Sequence, residues 1–223
     1  MTIPITRTTA PFDAVLTDLD DVIRLFDATE VSRLERAAGL PVGSTAESAF
    51  GPGRGEPLVL GQLTKDAWVA STASGLADRV PAARARELAT AFTRAPFRTD
   101  PEVVELLRAA REHCPVWIVT NGTPWLDEDL ATLDLDGLAD GIVNSARVGV
   151  AKPDPGILLH AAGRAGAAPE RCLFVDDRLA NVEAAAALGM TTVHFRTAAD
   201  LRPALAPLLA GPVPPTRPQR RPG

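Results

Sequence analysis

The sequence predicts an α/β fold: a doubly wound parallel sheet with a small helical subdomain inserted after the first strand. Three observations carry this. Short apolar runs alternate with helical patterns along most of the 223 residues. The runs are too brief for helices and lack the alternation of a sheet with one wet face, so they read as parallel strands buried on both faces. The connection between the first and second runs is far longer than the roughly dozen residues a crossover needs.

Taken in order, the first strand is Ala14-Val15-Leu16, which runs into the acidic cluster Asp18-Leu19-Asp20-Asp21. Residues 27 to 95 show no strand pattern. They hold helical segments near Thr29–Ala38, Thr64–Leu76 and Ala82–Thr93, the first two separated by the break Gly51-Pro52-Gly53-Arg54-Gly55-Glu56-Pro57. Thr99-Asp100-Pro101-Glu102 then opens a helix with an N-cap candidate, early acids and a proline in the first turn. Val103, Leu106, Leu107 and Ala110 follow at helical spacing. The second strand, Val116 to Val119, ends in Thr120-Asn121-Gly122, and a weaker third is Gly141-Ile142-Val143. A helix from about Pro155 to Ala165 leads to the fourth strand, Cys172 to Val175, which ends in Asp176-Asp177. A helix from about Leu179 to Leu188 leads to the fifth, Thr191 to Phe195. The last helix, near Ala198 to Leu209, carries prolines at 203 and 207 that expose it to a break. The division expected is a core of residues 12–26 and 96–210, a helical insert of residues 27–95, and a tail of residues 211–223. The tail is rich in proline and arginine without apolar periodicity, and reads as disordered.

Composition narrows the function classes. Apolar residues make up 46% and charged residues 23%, ordinary for a soluble globular chain. The net charge of -5 excludes a generally basic nucleic-acid binder. Among the cations only Lys65 and Lys152 are lysine; every other one is arginine. This reads as a coding bias, and a lysine that survives it invites attention. Cys114 and Cys172 belong to no Cys/His array, so they read as buried free thiols and not as a zinc site. No apolar run is long enough to span a membrane. Met1 to Pro11 lacks the charged and apolar regions of a signal peptide, so the expected location is cytoplasmic. Oligomeric state has no readable signal.

Every polar cluster named above lies at the carboxyl end of a strand, where ligands bind in doubly wound sheets. Asp18-x-Asp20, Thr120, Lys152 and Asp176-Asp177 each have a bland reading as turn or helix cap. Their convergence on one sheet edge does not. Several carboxylates in one place repel one another unless a hard cation such as Mg²⁺ sits among them. That cation would also draw an anionic substrate to an acidic protein. A carboxylate can attack phosphorus directly, and a second one two residues on can protonate the leaving oxygen and later activate water. A hydroxyl and a lysine can hold the phosphoryl oxygens as charge spreads over them.

These segments resemble the four motifs of the haloacid dehalogenase-like (HAD) hydrolase superfamily: Asp18-Leu19-Asp20-Asp21-Val22, Ile118-Val119-Thr120-Asn121, Ser145 to Asp154 around Lys152, and Phe174 to Val182 around Asp176-Asp177. The likeness covers roughly residues 12 to 196 and is most specific around Lys152 and Asp177. Gly61 to Trp68 also resembles the start of a cap helix in that family, in the subfamily IA arrangement. The resemblance implies a Rossmann-like core and an aspartyl-phosphate mechanism. Asp18 would be nucleophile and metal ligand, and Asp20 the general acid/base with its backbone carbonyl on Mg²⁺. Thr120, with backbone donors at Asn121 and Gly122, would hold the phosphoryl group. Lys152 would neutralise Asp18 and the phosphoryl oxygens. Asp177 would bind the metal directly and Asp176 directly or through water. Asn181, one turn after Asp177, would face the same site, and residues 27–95 would cap the substrate.

Asp21 stands where many relatives have glycine and reads as tolerated. Val22 stands where threonine is common and reads as a packing choice. Arg24 reads as a solvated arginine, Lys65 as a surface residue of the insert, Trp68 as core of the insert, and His113, His160 and His194 as structural or exposed. The expected activity is Mg²⁺-dependent hydrolysis of a small phosphorylated metabolite, a phosphate ester. A haloacid dehalogenase and a phosphomutase are the enzymatic alternatives. Asp20 and the acidic pair argue against the former, whose members generally lack the second aspartate. A phospho-accepting receiver would use a similar residue set in a different order and has no need of a helical insert.

Overall fold

The computed structural model describes residues 11–211. The readings of the leading segment and of the tail beyond Gly211 fall outside the described residues. The chain begins with β1 (Ala14–Thr17) and a short strand β2 (Arg24–Phe26). The insert follows as α1 (Thr29–Ala37), α2 (Ser44–Ala49), α3 (Gly55–Val59), α4 (Lys65–Ser74) and α5 (Ala82–Thr93). The chain returns through β3 (Phe97–Thr99) to α6 (Pro101–Arg111), β4 (Val116–Thr120), α7 (Leu126–Leu130), β5 (Gly141–Asn144) and α8 (Ser145–Val148). It ends with α9 (Pro155–Ala165), β6 (Cys172–Asp176), α10 (Leu179–Ala187), β7 (Thr191–His194) and α11 (Ala198–Leu209).

The five expected strands form one parallel sheet in the order β5-β4-β1-β6-β7. Successive side chains on each strand point to opposite faces. Val15, Val116, Ile118, Leu173 and Val175 therefore meet Val103, Leu107 and Ala110 of α6 and Leu201, Leu205 and Leu208 of α11. Ala14, Leu16, Trp117, Val119 and Phe174 meet Ile157, Leu158 and Ala161 of α9 and Ala185 of α10. With helices on both faces, both faces are dry, which is why the strands read as unbroken apolar runs. The chain builds outward from β1 to β4 and β5, then crosses back to β6 and β7. The reversal lies between β1 and β6, the place where such sheets open a crevice beyond their strand ends.

The helix starts follow their local chemistry. The Asp100 carboxylate accepts from the Glu102 and Val103 amides ahead of Pro101, and Asp154 accepts from Gly156 ahead of Pro155. Thr197 and Asp200 form a reciprocal capping box on α11. That helix is continuous through Pro203 and Pro207. Both prolines are exposed, as is Ala199, one of the residues whose carbonyl loses its amide partner, so water can satisfy what the prolines release. Cys114 and Cys172 are buried and form no disulfide, and burial pushes the Cys172 thiol up to about 11. No helix among the described residues is long and apolar enough to cross a membrane.

The insert is more structured than its sequence suggests. β2 and β3 pair antiparallel, Arg24 with Thr99 and Phe26 with Phe97, and make a ribbon where the chain leaves and rejoins the sheet. Three-residue strands carry no periodicity to read. Two short helices also appear where no periodicity announced them. Glu35, buried on α1, accepts from the Gly43 and Thr45 amides and so caps α2 from outside. α3 begins inside the Gly/Pro break, with Pro57 in the first turn, where an amide proton is not needed. Leu34, Leu76, Val80 and Leu88 pack one part of the insert. Ala49, Leu58 and Trp68 pack another, with Trp125 of the core against them.

The insert touches the sheet domain at α8. The Ser145 hydroxyl donates to the Val59 carbonyl at 2.6 Å. Gly61 sits at φ +76°, where a Cβ would overlap the Ala146 carbonyl oxygen. Gly61→Ala should cost about 1–2 kcal/mol for the left-handed backbone alone. It should also lift the insert from α8, seen as a lower urea midpoint and faster protease cleavage between residues 51 and 64. A variant unchanged in both would show that this contact is not held in solution.

Candidate active site

Asp18 follows β1 directly, and its amide donates to the Val175 carbonyl of β6 at 2.8 Å. The register pairs Thr17 with Val175, so Asp18 and Asp176 leave neighbouring strands at the same level. Lys152 reaches between them from the loop before α9. Its Nζ lies 2.7 Å from Asp18 Oδ1 and 2.7 Å from Asp176 Oδ2. The lysine side chain is 1% exposed, and those of Asp18 and Asp176 are 9% and 0% exposed. Burial is so complete that it outweighs the ammonium and pushes the Asp18 carboxyl up to about 7, with Asp176 adding to the rise.

Each member is held by a neighbour. Asp18 Oδ1 also accepts from the Leu19 amide. Asp176 Oδ1 accepts from the Arg178 amide and from Asn181 Nδ2, each at 2.9 Å, which places Asn181 at the site as its spacing suggested. Asn121 pairs both ways with the Lys152 backbone. Its Nδ2 donates to the Lys152 carbonyl and its Oδ1 accepts the Lys152 amide, each at 2.8 Å. Its side chain thus fixes the lysine loop, a duty its position in the motif did not reveal. Thr120 ends β4 with its hydroxyl buried and without a protein partner. A buried hydroxyl left unbonded is costly and here lies among the strand ends, where a bound oxyanion would satisfy it. At Gly122 a Cβ would press on Asn144 Oδ1 and Leu126, so the turn after β4 is tight.

Asp18, Asp176 and Asp177 bring carboxylate oxygens within 4.8 Å of one another. Burial first, then Asp176 and Asp21, raise the pKa of Asp177. One ammonium does not balance this cluster. The donor set, hard oxygen ligands carrying excess negative charge, fits a divalent cation such as Mg²⁺. His194, set aside as structural or exposed, lies 2.9 Å from the Asp177 carbonyl through Nε2. A carbonyl only accepts, so this nitrogen carries the proton and steadies the turn that presents Asp177. Asp21 has φ +59°, which explains why glycine is common at that position and why a short acidic side chain is tolerated.

Asp20 stands apart from the triad and is half-exposed, its carboxylate held by Arg24. Arg24 is not solvated: its side chain is 4% exposed. The chain turns back so that the Ile23 and Arg24 amides both donate to the Leu19 carbonyl, carrying Arg24 under the acidic loop. Lys65 is a surface residue of the insert, as its sequence suggests, but it is not idle. It lies over the Trp125 ring, 5.4 Å from its centroid, and 3.5 Å from Glu128, joining the insert to α7.

Replacing Lys152 with methionine leaves two buried carboxylates facing each other. Breaking a buried ion pair from one side typically costs about 3–5 kcal/mol. Lys152→Met should lose stability on that order in urea denaturation at neutral pH, and less in acid, where one carboxyl takes up a proton. An unchanged midpoint would show that the triad is not closed in solution.

Comparison with known proteins bears on what this constellation is. A family model for haloacid dehalogenase-like hydrolase matches residues 12–189. A glyceraldehyde 3-phosphate phosphatase of Methanopyrus kandleri is 36% identical over 101 residues, 43% of this chain and 42% of that protein. A flavin mononucleotide hydrolase of Arabidopsis thaliana is 32% identical over 105 residues, 47% of this chain and 43% of that protein. The chain thus spans less than half the length of these curated relatives. A HAD family hydrolase from Deinococcus radiodurans, solved with bound phosphate and sodium, superposes with a TM-score of 0.63 at 26% identity, over 89% of this chain and 96% of that one. With the family model covering most of its length and a parallel sheet of the same class, the chain belongs to the haloacid dehalogenase-like hydrolases.

Proposed function

We propose that the protein is a Mg²⁺-dependent phosphatase of small phosphorylated metabolites, acting through an aspartyl-phosphate on Asp18. The observation that carries this is the buried Asp18–Lys152–Asp176 triad beside the unpartnered Thr120 hydroxyl, with a further carboxylate, Asp20, two residues after Asp18. The nucleophile would be the Asp18 carboxylate in its ionised form, beside the Lys152 ammonium. It attacks phosphorus as the ester bond breaks, and Asp20 gives its proton to the departing oxygen. Asp20, now a carboxylate, accepts a proton from the water that attacks the phosphoryl group, and Asp18 is released. Thr120 and the Asn121 and Gly122 amides would donate to the phosphoryl oxygens, with Lys152 as the adjacent point charge.

Asp18, Asp177 and the Asp20 carbonyl would hold Mg²⁺, with Asp176 acting through water, since its two oxygens already take three protein donors. When bound, the ion neutralises the acidic cluster and the phosphoryl charge. Residues 27–95 would serve as the cap that closes over the substrate and excludes water. Relatives named as phosphatases support the reading, and so does the bound phosphate of the Deinococcus structure. A dehalogenase needs neither a leaving-group acid nor the acidic pair.

Purified protein should hydrolyse p-nitrophenyl phosphate or a sugar phosphate with Mg²⁺ and lose the activity to EDTA. Asp18→Asn should abolish turnover. Lys152→Arg should lower kcat by about 10²-fold or more, because a planar fork does not fit between two carboxylates and a phosphoryl oxygen. A wild type inert across a broad phosphate panel, or one that releases halide in EDTA, would sink the proposal.

A further inference from the structure

Arg24 is the largest charged side chain in the molecule's interior that the mechanism above leaves unused. Its Nε donates to Asp20 Oδ1 at 2.5 Å and its Nη2 to Asp20 Oδ2 at 3.2 Å, a two-pronged grip on both carboxylate oxygens. The guanidinium stacks on Phe97, 4.1 Å from the ring centroid. Its remaining nitrogen, Nη1, is buried without a hydrogen bond and faces Asp129 of α7 at 3.8 Å. Side-chain exposure is 4% for Arg24 against 42% for Asp20. The anchored partner is therefore the arginine, and the carboxylate it grips is the one that meets solvent.

Solvent-facing carboxylates ordinarily sample several rotamers. This one is fixed from behind by a fork that is itself clamped between an aromatic ring and a second acid. The clamp comes from the ribbon: Arg24 lies on β2 and Phe97 on β3, the strands through which the insert leaves and rejoins the core. A buried arginine needed only for stability would be as well served by any deep acid. The geometry here spends both prongs on an exposed carboxylate next to the nucleophile loop.

We propose that Arg24 is a positioning residue for Asp20, setting the place and plane of the carboxylate that exchanges protons with the leaving group and the attacking water. The inference rests on the phosphatase reading above. Its signature is the response to the leaving group. An aryl phosphate with a good leaving group departs with little help, whereas an alkyl phosphate requires the proton. Misplacing Asp20 should therefore penalise the second far more than the first.

The test compares kcat/KM for p-nitrophenyl phosphate, phenyl phosphate and an alkyl phosphate such as glycerol phosphate, with Mg²⁺, in wild type, Asp20→Asn, Arg24→Gln, Arg24→Lys and Asp129→Asn. Arg24→Gln should lose about tenfold more on the alkyl ester than on p-nitrophenyl phosphate, in the same direction as Asp20→Asn. Arg24→Lys should recover little, since an ammonium cannot grip both oxygens. Asp129→Asn leaves the Asp20 grip in place but slackens the fork. It should show the same bias more weakly, and it reads the proposal should the Arg24 variants fail to fold. A wild type that hydrolyses the series, with variants that lose rate equally on every ester, would overturn the role of Arg24 alone. A wild type that hydrolyses none of them would overturn the phosphatase reading and this role with it.

Discussion

The Lys152 ammonium is the constraint around which the rest of the molecule is arranged. A fully buried cation costs several kcal/mol in lost hydration and survives only with close partners of opposite charge. It has two at 2.7 Å, and they come from different strands. To bring them level, β1 and β6 must be neighbours in register. To bring the lysine between them, the chain must cross from β5 over α8 and present residue 152 at the same edge. Asn121 at the end of β4 then locks that loop by its backbone. Three strands and one loop are thus tied to one charge, and the reversal of strand order supplies the gap in which it sits.

The triad is not neutral. Adding Asp177 at the same edge leaves more carboxylate than ammonium, and burial, with a smaller push from Asp176, raises the pKa of Asp18 even beside the lysine. A site optimised for stability alone would have fewer acids. The surplus amounts to a standing preference for a cation and for groups that share charge with it, prepared by folding before any substrate arrives. Lysine and arginine divide the work by shape. Between two carboxylates there is room for a point charge, and one of the chain's two lysines stands there. Behind Asp20 a planar fork is wanted, gripping two oxygens and lying flat on Phe97, and an arginine stands there.

How far the sequence disclosed this depends on the range of the forces involved. The strands of the sheet were legible because burial on both faces writes an unbroken apolar run into the chain itself. The residues at the site were legible because each lies at or within a few residues of a strand end or a helix cap. The ribbon of β2 and β3 was not, since three residues carry no period and its pairing spans the whole insert. α2 was hidden because the carboxylate that caps it, Glu35, belongs to another helix. Arg24 was misread for the same reason. Nothing local distinguishes it from a solvated arginine, and its burial is made by Phe97 beyond the insert and by Asp129 on α7. Lys65 stays on the surface of the insert, but its tie to Trp125 and Glu128 of the core is equally invisible in its own helix.

Asp18 and Asp20 are therefore fixed by different parts of the molecule. Asp18 is held by the sheet, through a neighbouring strand and a lysine whose loop the sheet also positions. Such a placement changes only if the core itself shifts, and packed cores resist shifts of that kind. Asp20 is held by Arg24, and Arg24 by a two-stranded ribbon that carries the insert. α7 adds a second link, since its adjacent residues Glu128 and Asp129 face Lys65 of the insert and Arg24 of the ribbon respectively. Any motion of the insert relative to the sheet must pass through the ribbon and is resisted at α7. It follows that the position of Asp20 is sensitive to how the insert sits, while that of Asp18 is not. Under the proposed mechanism, which needs its nucleophile at all times and its acid only once a substrate is enclosed, that division would place each carboxylate on the element suited to its duty.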